Sequence, residues 1–381
     1  ADIKKTRSDQ KLILVGCFAE RHAAEARAEL PEVDLWIGTG RYGQAGEIIR
    51  NHFGAPADST GESNLTRLHA THIDALPYAP VKLSEGCNRG CAFCSIPQFR
   101  GAFQPIATDA IIQECRELSA VGVREVCLVS QDTNRFARNA AEFVDVLERI
   151  AELPDLSWIR LLYLYPDPAT LNIWKEIARR NLGKVVPYLE SPVQHVSGAV
   201  LRAMRRYGDY NQFAELFQQI RALFPDLEIR TSFLIGHPGE TPQDVALIER
   251  FMNEIRPEKV AFFAYSREID TPGFDLGDPI PAEEKESRIN ILRQQHLTIL
   301  ADLHRERVGR VYECMLDEVD PTGQLVMRRP QDAPEIDEVV FVMDDAGPRE
   351  IGAIYPVQID GFLEYDMTGR LEPAMRSRQD R

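Results

Sequence analysis

Short apolar runs closed by glycine or a polar turn recur along this chain, and helical spacing fills the intervals between them. Residues 12–17, Leu-Ile-Leu-Val-Gly-Cys, form one such run. Uninterrupted apolar stretches of this length read as strands buried on both faces. Helical spacing follows at about 18–30, a second strand at Asp34-Leu-Trp-Ile-Gly38, and a second helix at about 43–53. Two strands make only a small α/β unit, so residues 1–53 read as the remnant of a larger domain. Residues 54–72 are rich in Gly, Pro, Ser, Thr and Asp without period and read as a linker.

From 73 the alternation becomes regular. Strands are expected at 80–85, 125–130, 158–164, 185–190, 227–235 and 259–265. Helices are expected at about 107–121, 140–153, 169–180, 198–222 and 241–255, and a long charged helix at 282–308 closes the region. Six strands joined by helical crossovers predict an α/β fold, a parallel sheet curled into a partial (β/α)6 barrel over 73–308. The pattern then changes. Over 309–375, short strand-like runs such as Val311-Tyr-Glu-Cys-Met-Leu316 and Glu338-Val-Val-Phe-Val-Met343 are broken by turn residues. This predicts a small antiparallel β-barrel.

Composition narrows the class. Of 381 residues, 44% are hydrophobic and 27% charged, which fits a folded globular chain. No apolar run reaches the roughly 18–20 residues of a spanning helix. The start, ADIKKTRSDQ, has no apolar signal region, so a membrane or secreted destination is not expected. The net charge is −15, and residues 311–375 carry −11 of it, with 15 Asp and Glu against four Arg. That balance argues against a generic nucleic-acid binder. Seven cysteines, three of them within eight residues, fit a reducing cytoplasm better than a disulfide scaffold.

The cysteine trio is the sharpest signal. Cys87-Asn-Arg-Gly-Cys91-Ala-Phe-Cys94 follows the first barrel strand, at the end of the barrel where active sites form. Three thiolates at these spacings suit a compact soft-metal centre, and Gly86 and Gly90 allow the tight turn. A structural zinc site wants a fourth ligand, and no other Cys or His is near in sequence. Three thiolates on a four-iron cluster leave one iron open. Three buried core cysteines are the remaining alternative. By its residues alone Cys17 reads as a buried structural thiol, and Cys115, Cys127 and Cys314 as core thiols. Gly38-Thr-Gly-Arg-Tyr-Gly43 matches the dinucleotide fingerprint, but a linker stands where the next strand should be, so it is rejected.

The trio after the first barrel strand resembles the radical S-adenosylmethionine (SAM) superfamily. In that family the open iron chelates SAM, and an electron from the cluster cleaves it to a 5′-deoxyadenosyl radical. The three-part organisation resembles the methylthiotransferases, whose last domain is called TRAM. The run Ser84–Gly101, with Ser130-Gln-Asp-Thr133, Pro192-Val-Gln-His195, Arg230–Glu240, Tyr265-Ser-Arg-Glu268 and Thr271-Pro272, is similar to the branch that modifies a small-subunit ribosomal protein. The tRNA-modifying branch usually has Gln-Asn at Gln131-Asp132 and Gln-Ser at Gln194-His195.

The resemblance implies a reaction that turns C–H into C–S–CH3, on an aspartate β-carbon of ribosomal protein S-twelve. It implies two 4Fe-4S clusters, SAM and an electron donor. One cluster would sit on Cys87, Cys91 and Cys94. The other would use Cys17 with two cysteines absent from this chain, which implies an N-terminally truncated chain. It places Phe93 near the adenine. Gln131, Asp132, Glu190, Ser191, Gly236 and His237 end barrel strands and would face the mouth where SAM binds; loop solvation and capping are the alternative. Arg202, with Arg205 and Arg206, would bind the SAM carboxylate or an acidic substrate, or form a solvated basic face. His195 reads equally as a mouth residue or a turn filler, and Tyr265-Ser266-Arg267 as approaching the substrate. A basic ribosomal protein is the expected partner, and tRNA is not.

Overall fold

The computed structural model describes residues 7, 9–54, 76–343 and 349–372. The linker expected at 54–72 lies outside them except for Gly54, as do residues 1–6, 8 and 373–375 of the flanking segments. At the N-terminus β1 (Ile13–Val15) and β2 (Leu35–Ile37) pair in parallel, Ile13 opposite Leu35, with α1 (Cys17–Glu29) between them and α2 (Ala45–Phe53) after them.

The barrel strands are β3 (Tyr78–Lys82), β6 (Glu125–Val129), β7 (Trp158–Leu161), β8 (Tyr188–Glu190), β9 (Glu228–Ile235) and β10 (Lys259–Ala264). A two-stranded clip, β4 (Ser84–Glu85) and β5 (Gln104–Pro105), follows β3. The helices in order are α3 (Ile96–Arg100), α4 (Thr108–Ala120), α5 (Ala140–Ala151), α6 (Pro168–Arg180), α7 (Gly198–Ala203), α8 (Tyr210–Leu223), α9 (Pro242–Ile255) and α10 (Ala282–Arg307). Strands β3-β6-β7 form one parallel sheet and β8-β9-β10 another, and a parallel bridge between Ile159 and Val185 joins them. Spatial order follows chain order, so the sheet is the arc of a partial (β/α)6 barrel.

Burial explains the apolar runs. All four residues of β7 are buried, as are four of the five in β6. The outer faces of the strands pack against Phe143, Leu147, Trp174, Phe213, Phe217 and Phe251 of the helices. Each large side chain so buried contributes about 1.5–3 kcal/mol. Helix starts are capped locally: Asn139 and Asp209 each accept the N–H three residues on, and Thr241 and Asp244 form a capping box.

The single helix expected over 198–222 is two. Arg205 (φ 55°) and Gly208 (φ 106°) leave the helical region, and Asp209 starts α8 anew. A Cβ on Gly208 would sit 2.2 Å from ring carbons of Phe213. The apolar spacing of Val200, Leu201 and Met204 masks this break in the sequence.

The C-terminal segment closes as a five-stranded barrel in the order β11-β12-β13-β15-β14: Val311–Val319, Gln324–Arg328, Val340–Met343, Asp366–Leu371 and Ile354–Leu363; its pairs are antiparallel as expected except β13 with β15, which run parallel and close the barrel. Cys314, Leu316, Met327, Val340, Val357 and Met367 fill it. The turn after β12 enters the base of the large barrel. There Glu125 meets Arg160 and Arg328, each at 2.6 Å. Glu228 meets Lys259 at 2.6 Å, Arg307 at 2.8 Å and Arg329 at 2.9 Å. Each of these carboxylates begins a barrel strand.

Candidate active site

The cysteine loop is held at the rim by backbone. Ser84 and Glu85 pair with Pro105 and Gln104, and the Cys87 N–H donates to the Gly101 carbonyl at 3.2 Å. This pinches 86–103 into a closed flap. Gly86 (φ 75°) is required, since a Cβ there would lie 2.3 Å from the Ala102 carbonyl oxygen. The left-handed conformation alone costs a non-glycine residue roughly 1–2 kcal/mol. Gly86→Ala is therefore expected to lower the melting temperature by several degrees, read by calorimetry. An unchanged transition would show that the flap tolerates a Cβ.

Cys87, Cys91 and Cys94 line one cavity of about 420 Å³ at the C-terminal ends of the strands. Burial pushes the Cys87 and Cys94 thiols up from their ordinary range. Among the described residues no three Cys, His, Asp or Glu side chains converge on one ion-sized point. The donor set is three soft sulfurs spread over the wall of a cavity, which fits a multi-iron cluster.

Arg89, between the first two cysteines, fixes the loop. Its guanidinium binds Asp132 at 2.5 and 3.0 Å and Asp167 at 2.9 Å, and stacks 3.8 Å from the Tyr165 ring centroid. Arg206 reaches in from beyond α7, with Nη1 3.4 Å from the Cys91 sulfur. Lys82, Gln131, Tyr163 and Gln194 complete the wall. The Gln131 Oε1 is buried without a hydrogen-bond partner among the described residues, an acceptor on the cavity side of β6.

Residues 81–252 match the Radical SAM superfamily and 308–371 the TRAM domain. The chain is 44% identical over 377 residues to the ribosomal protein uS12 methylthiotransferase RimO of Leptospira biflexa, covering 97% of this chain and 82% of that protein. It is 32% identical over 384 residues to the same-named protein of Geobacter sulfurreducens, covering 97% and 84%. This chain belongs to the RimO family. The fold is shared with a solved cobalamin-dependent SAM radical enzyme, OxsB, at 11% identity and TM-score 0.50, over 78% of this chain and 46% of that one. Radical SAM membership brings a 4Fe-4S cluster and SAM as cofactors.

Within this RimO-family barrel the expected rim residues divide. Phe93 and Gln131 line the cavity with the three cysteines. Asp132 does not; it is buried and holds Arg89 and, at 3.4 Å, Arg135. Glu190 ends β8 but lies opposite Arg230, only the third residue of β9, so it sits inside the barrel below the rim. There it accepts the Tyr163 N–H at 3.1 Å, and burial pushes its carboxyl up. Ser191 follows it into the core, fully buried. The rim residue of that strand is Gln194, which bridges to Phe233. Gly236 packs against Lys285, where a Cβ would meet the side chain at 2.4 Å.

Arg202 is exposed, because α7 turns it outward before the chain doubles back; of the three arginines only Arg206 enters the cavity. His195 is a turn filler, its Nδ1 accepting the Val196 and Ser197 N–H groups at 2.9 Å. Tyr265, Ser266 and Arg267 line a separate open groove against α10. Cys127 and Cys314 are buried core thiols. Cys17 begins α1 and lies near Arg100 at the end of α3, directly after the cysteine loop. Arg21 of α1 reaches Ser95 at 3.2 Å and Glu268 at 2.8 Å, which fixes this contact.

Lys82, Tyr163 and Tyr165 carried no signal of their own, and Arg89 had one cue, its place between two cysteines.

Proposed function

We propose that this chain methylthiolates ribosomal protein uS12 on an aspartate β-carbon, in the cytoplasm, with Cys87, Cys91 and Cys94 as ligands of the SAM-binding cluster. The observation that supports it is the convergence of these three sulfurs on one rim cavity, in a chain of the RimO family. When bound, the cluster and SAM supply one-electron chemistry that no side chain can perform, drawing on an external electron donor. The protein's share is positional. Cys87, Cys91 and Cys94 would hold three irons of the cluster and leave one free for SAM. Arg89, pinned by Asp132, Asp167 and Tyr165, keeps the loop closed over the barrel mouth. Phe93 offers an apolar face and Gln131 a buried acceptor to the bound cofactor. The segments 1–53, 73–308 and 309–375 would act as auxiliary-cluster fragment, radical barrel and substrate-facing TRAM barrel.

Cys17 would supply one ligand of a second cluster. Cys17→Ala in a chain carrying both clusters is expected to spare SAM cleavage to 5′-deoxyadenosine but stop methylthio transfer. Product mass and 5′-deoxyadenosine, measured side by side, decide this. Normal methylthiolation would return Cys17 to a structural role.

The charge of the TRAM barrel favours a basic protein over tRNA. Its surface differs from the count along the sequence: Arg328, Arg329, Asp332 and Glu338 are buried in the barrel base. That leaves Glu313, Glu318, Glu335, Glu350, Asp360 and Glu364 exposed, against exposed Arg370 and partly exposed Arg349. Such a face repels phosphate and attracts a basic partner by long-range steering. Affinity for isolated uS12 is expected to fall steeply from low to physiological salt, because exposed charges are screened over about 8–10 Å. Bulk tRNA should not compete. Methylthiolated uS12 found by mass spectrometry supports the reading; tight tRNA binding with methylthioadenosine in the tRNA would overturn it.

A further inference from the structure

We infer that Arg206 sets the reduction potential of the cluster on Cys87, Cys91 and Cys94 by donating a charged hydrogen bond to the Cys91 sulfur. This rests on the cluster assignment above and goes beyond it.

Three cations line the cavity. Arg89 is neutralised by Asp132 and Asp167, and Lys82 by Glu85 at 2.7 Å. Among the described residues Arg206 forms no ion pair with a carboxylate. Its contacts fix it instead. Nη1 is 3.4 Å from the Cys91 sulfur, within the range of an N–H···S hydrogen bond. Nη2 donates to the Pro192 carbonyl at 2.6 Å. The guanidinium stacks 4.4 Å from the Tyr165 ring centroid, and the Tyr165 hydroxyl accepts the Tyr207 N–H at 3.0 Å. Nε is buried. Backbone holds the same register: the Ala92 N–H, next to Cys91, donates to the Met204 carbonyl at 2.8 Å. Arg205 at φ 55° and Gly208 at φ 106° turn the chain so that position 206 points back at the loop.

One-electron reduction adds a negative charge to the cluster, and part of it falls on the ligand sulfurs. A cation donating to one of those sulfurs favours the reduced form and raises the potential. In a half-buried wall the effect is screened less than at a free surface. Arg206 is thus a positioning residue that acts on the cluster through Cys91.

The test is a potentiometric titration of the reconstituted full chain without SAM, followed by the reduced-cluster EPR signal. Ti(III) citrate supplies the electron and is oxidised to Ti(IV). Arg206→Met is expected to shift the reduction equilibrium toward the oxidised cluster by about tenfold or more, about 59 mV lower for a one-electron couple. Arg202→Ala, which removes a nearby but exposed cation, should leave the potential at the parent value. If Arg206→Met takes up no iron, Arg206→Gln is read in its place; it keeps N–H donors and loses the charge. A parental potential in the readable variant overturns the inference, as does an equal shift in Arg202→Ala. SAM affinity is measured on the same samples. Lost SAM affinity with an unmoved potential would reassign Arg206 to the SAM carboxylate. A parent chain with no reducible cluster would instead sink the cluster assignment itself, a distinct outcome.

Discussion

Cys87→Ala, Cys91→Ala and Cys94→Ala are each expected to abolish cluster binding and, with it, all cleavage of SAM to 5′-deoxyadenosine. The effect is complete because no substitute ligand lies at hand. The cavity wall holds three sulfurs, and its other side chains are Lys82, Arg89, Arg206, amides, hydroxyls and apolar groups. Soft iron centres of this type are held by thiolates, and two are too few to retain four irons. The readouts are iron and sulfide per chain, brown colour, and 5′-deoxyadenosine after reduction. Cys314→Ala is the control. That thiol is fully buried inside the small β-barrel, far in the chain from the loop, so its loss should affect stability and leave iron content intact. Retained colour and SAM cleavage in any one of the three loop variants would disprove its ligand role.

The largest effect on stability is expected at Glu228. Its two oxygens bind Lys259, Arg307 and Arg329 at the base of the barrel, where the large barrel, α10 and the TRAM segment meet. Burial by itself would raise the carboxyl's pKa, but the three cations outweigh it and hold the group well below the usual carboxylate range. Its contribution is therefore complete at neutral pH and is lost progressively as pH falls from the ordinary carboxylate range down through that depressed value. Glu228→Ala leaves Arg307 without its carboxylate, while Arg329 keeps Asp332 and Lys259 keeps Asp332 and Glu338. Breaking a buried pair this way costs about 3–5 kcal/mol, which corresponds to a melting-temperature drop on the order of 10 °C. Glu228→Gln keeps the shape and one acceptor and should lose less. Calorimetry near pH 7 checks both, and a Glu228→Ala transition within a degree of the parent would refute the role.

The same cluster shows where reading along the chain stops. The −11 of residues 311–375 looks like surface charge when counted in sequence. Arg328 ends β12 and Arg329 follows it just before Pro330, with no local cue that they are destined for burial. They become fully buried because Glu125 and Glu228, about two hundred and one hundred residues earlier, start barrel strands directly above them. Similarly, Asp132 and Gln131 are neighbours on one strand end. Only the fold sends Gln131 to the cavity and Asp132 behind it to Arg89.

What the sequence determined by itself was the periodic content: the six strands of the large barrel, most of the helices between them, four of the five short strands of the small barrel, and the cysteine loop on its glycines. These follow from local spacing, since burial on both faces writes a continuous apolar run and a metal loop writes close thiols. The tertiary structure alone decided which strand ends reach the cavity. That depends on register between neighbours: β8 is set so that Glu190 lies opposite the third residue of β9, and the rim passes to Gln194 four residues on. It also decided that Arg206, and not Arg202, meets Cys91, because left-handed Arg205 ends the helix between them. Register and chain reversal are set by contacts between segments distant in sequence, and no window along a single chain contains both partners.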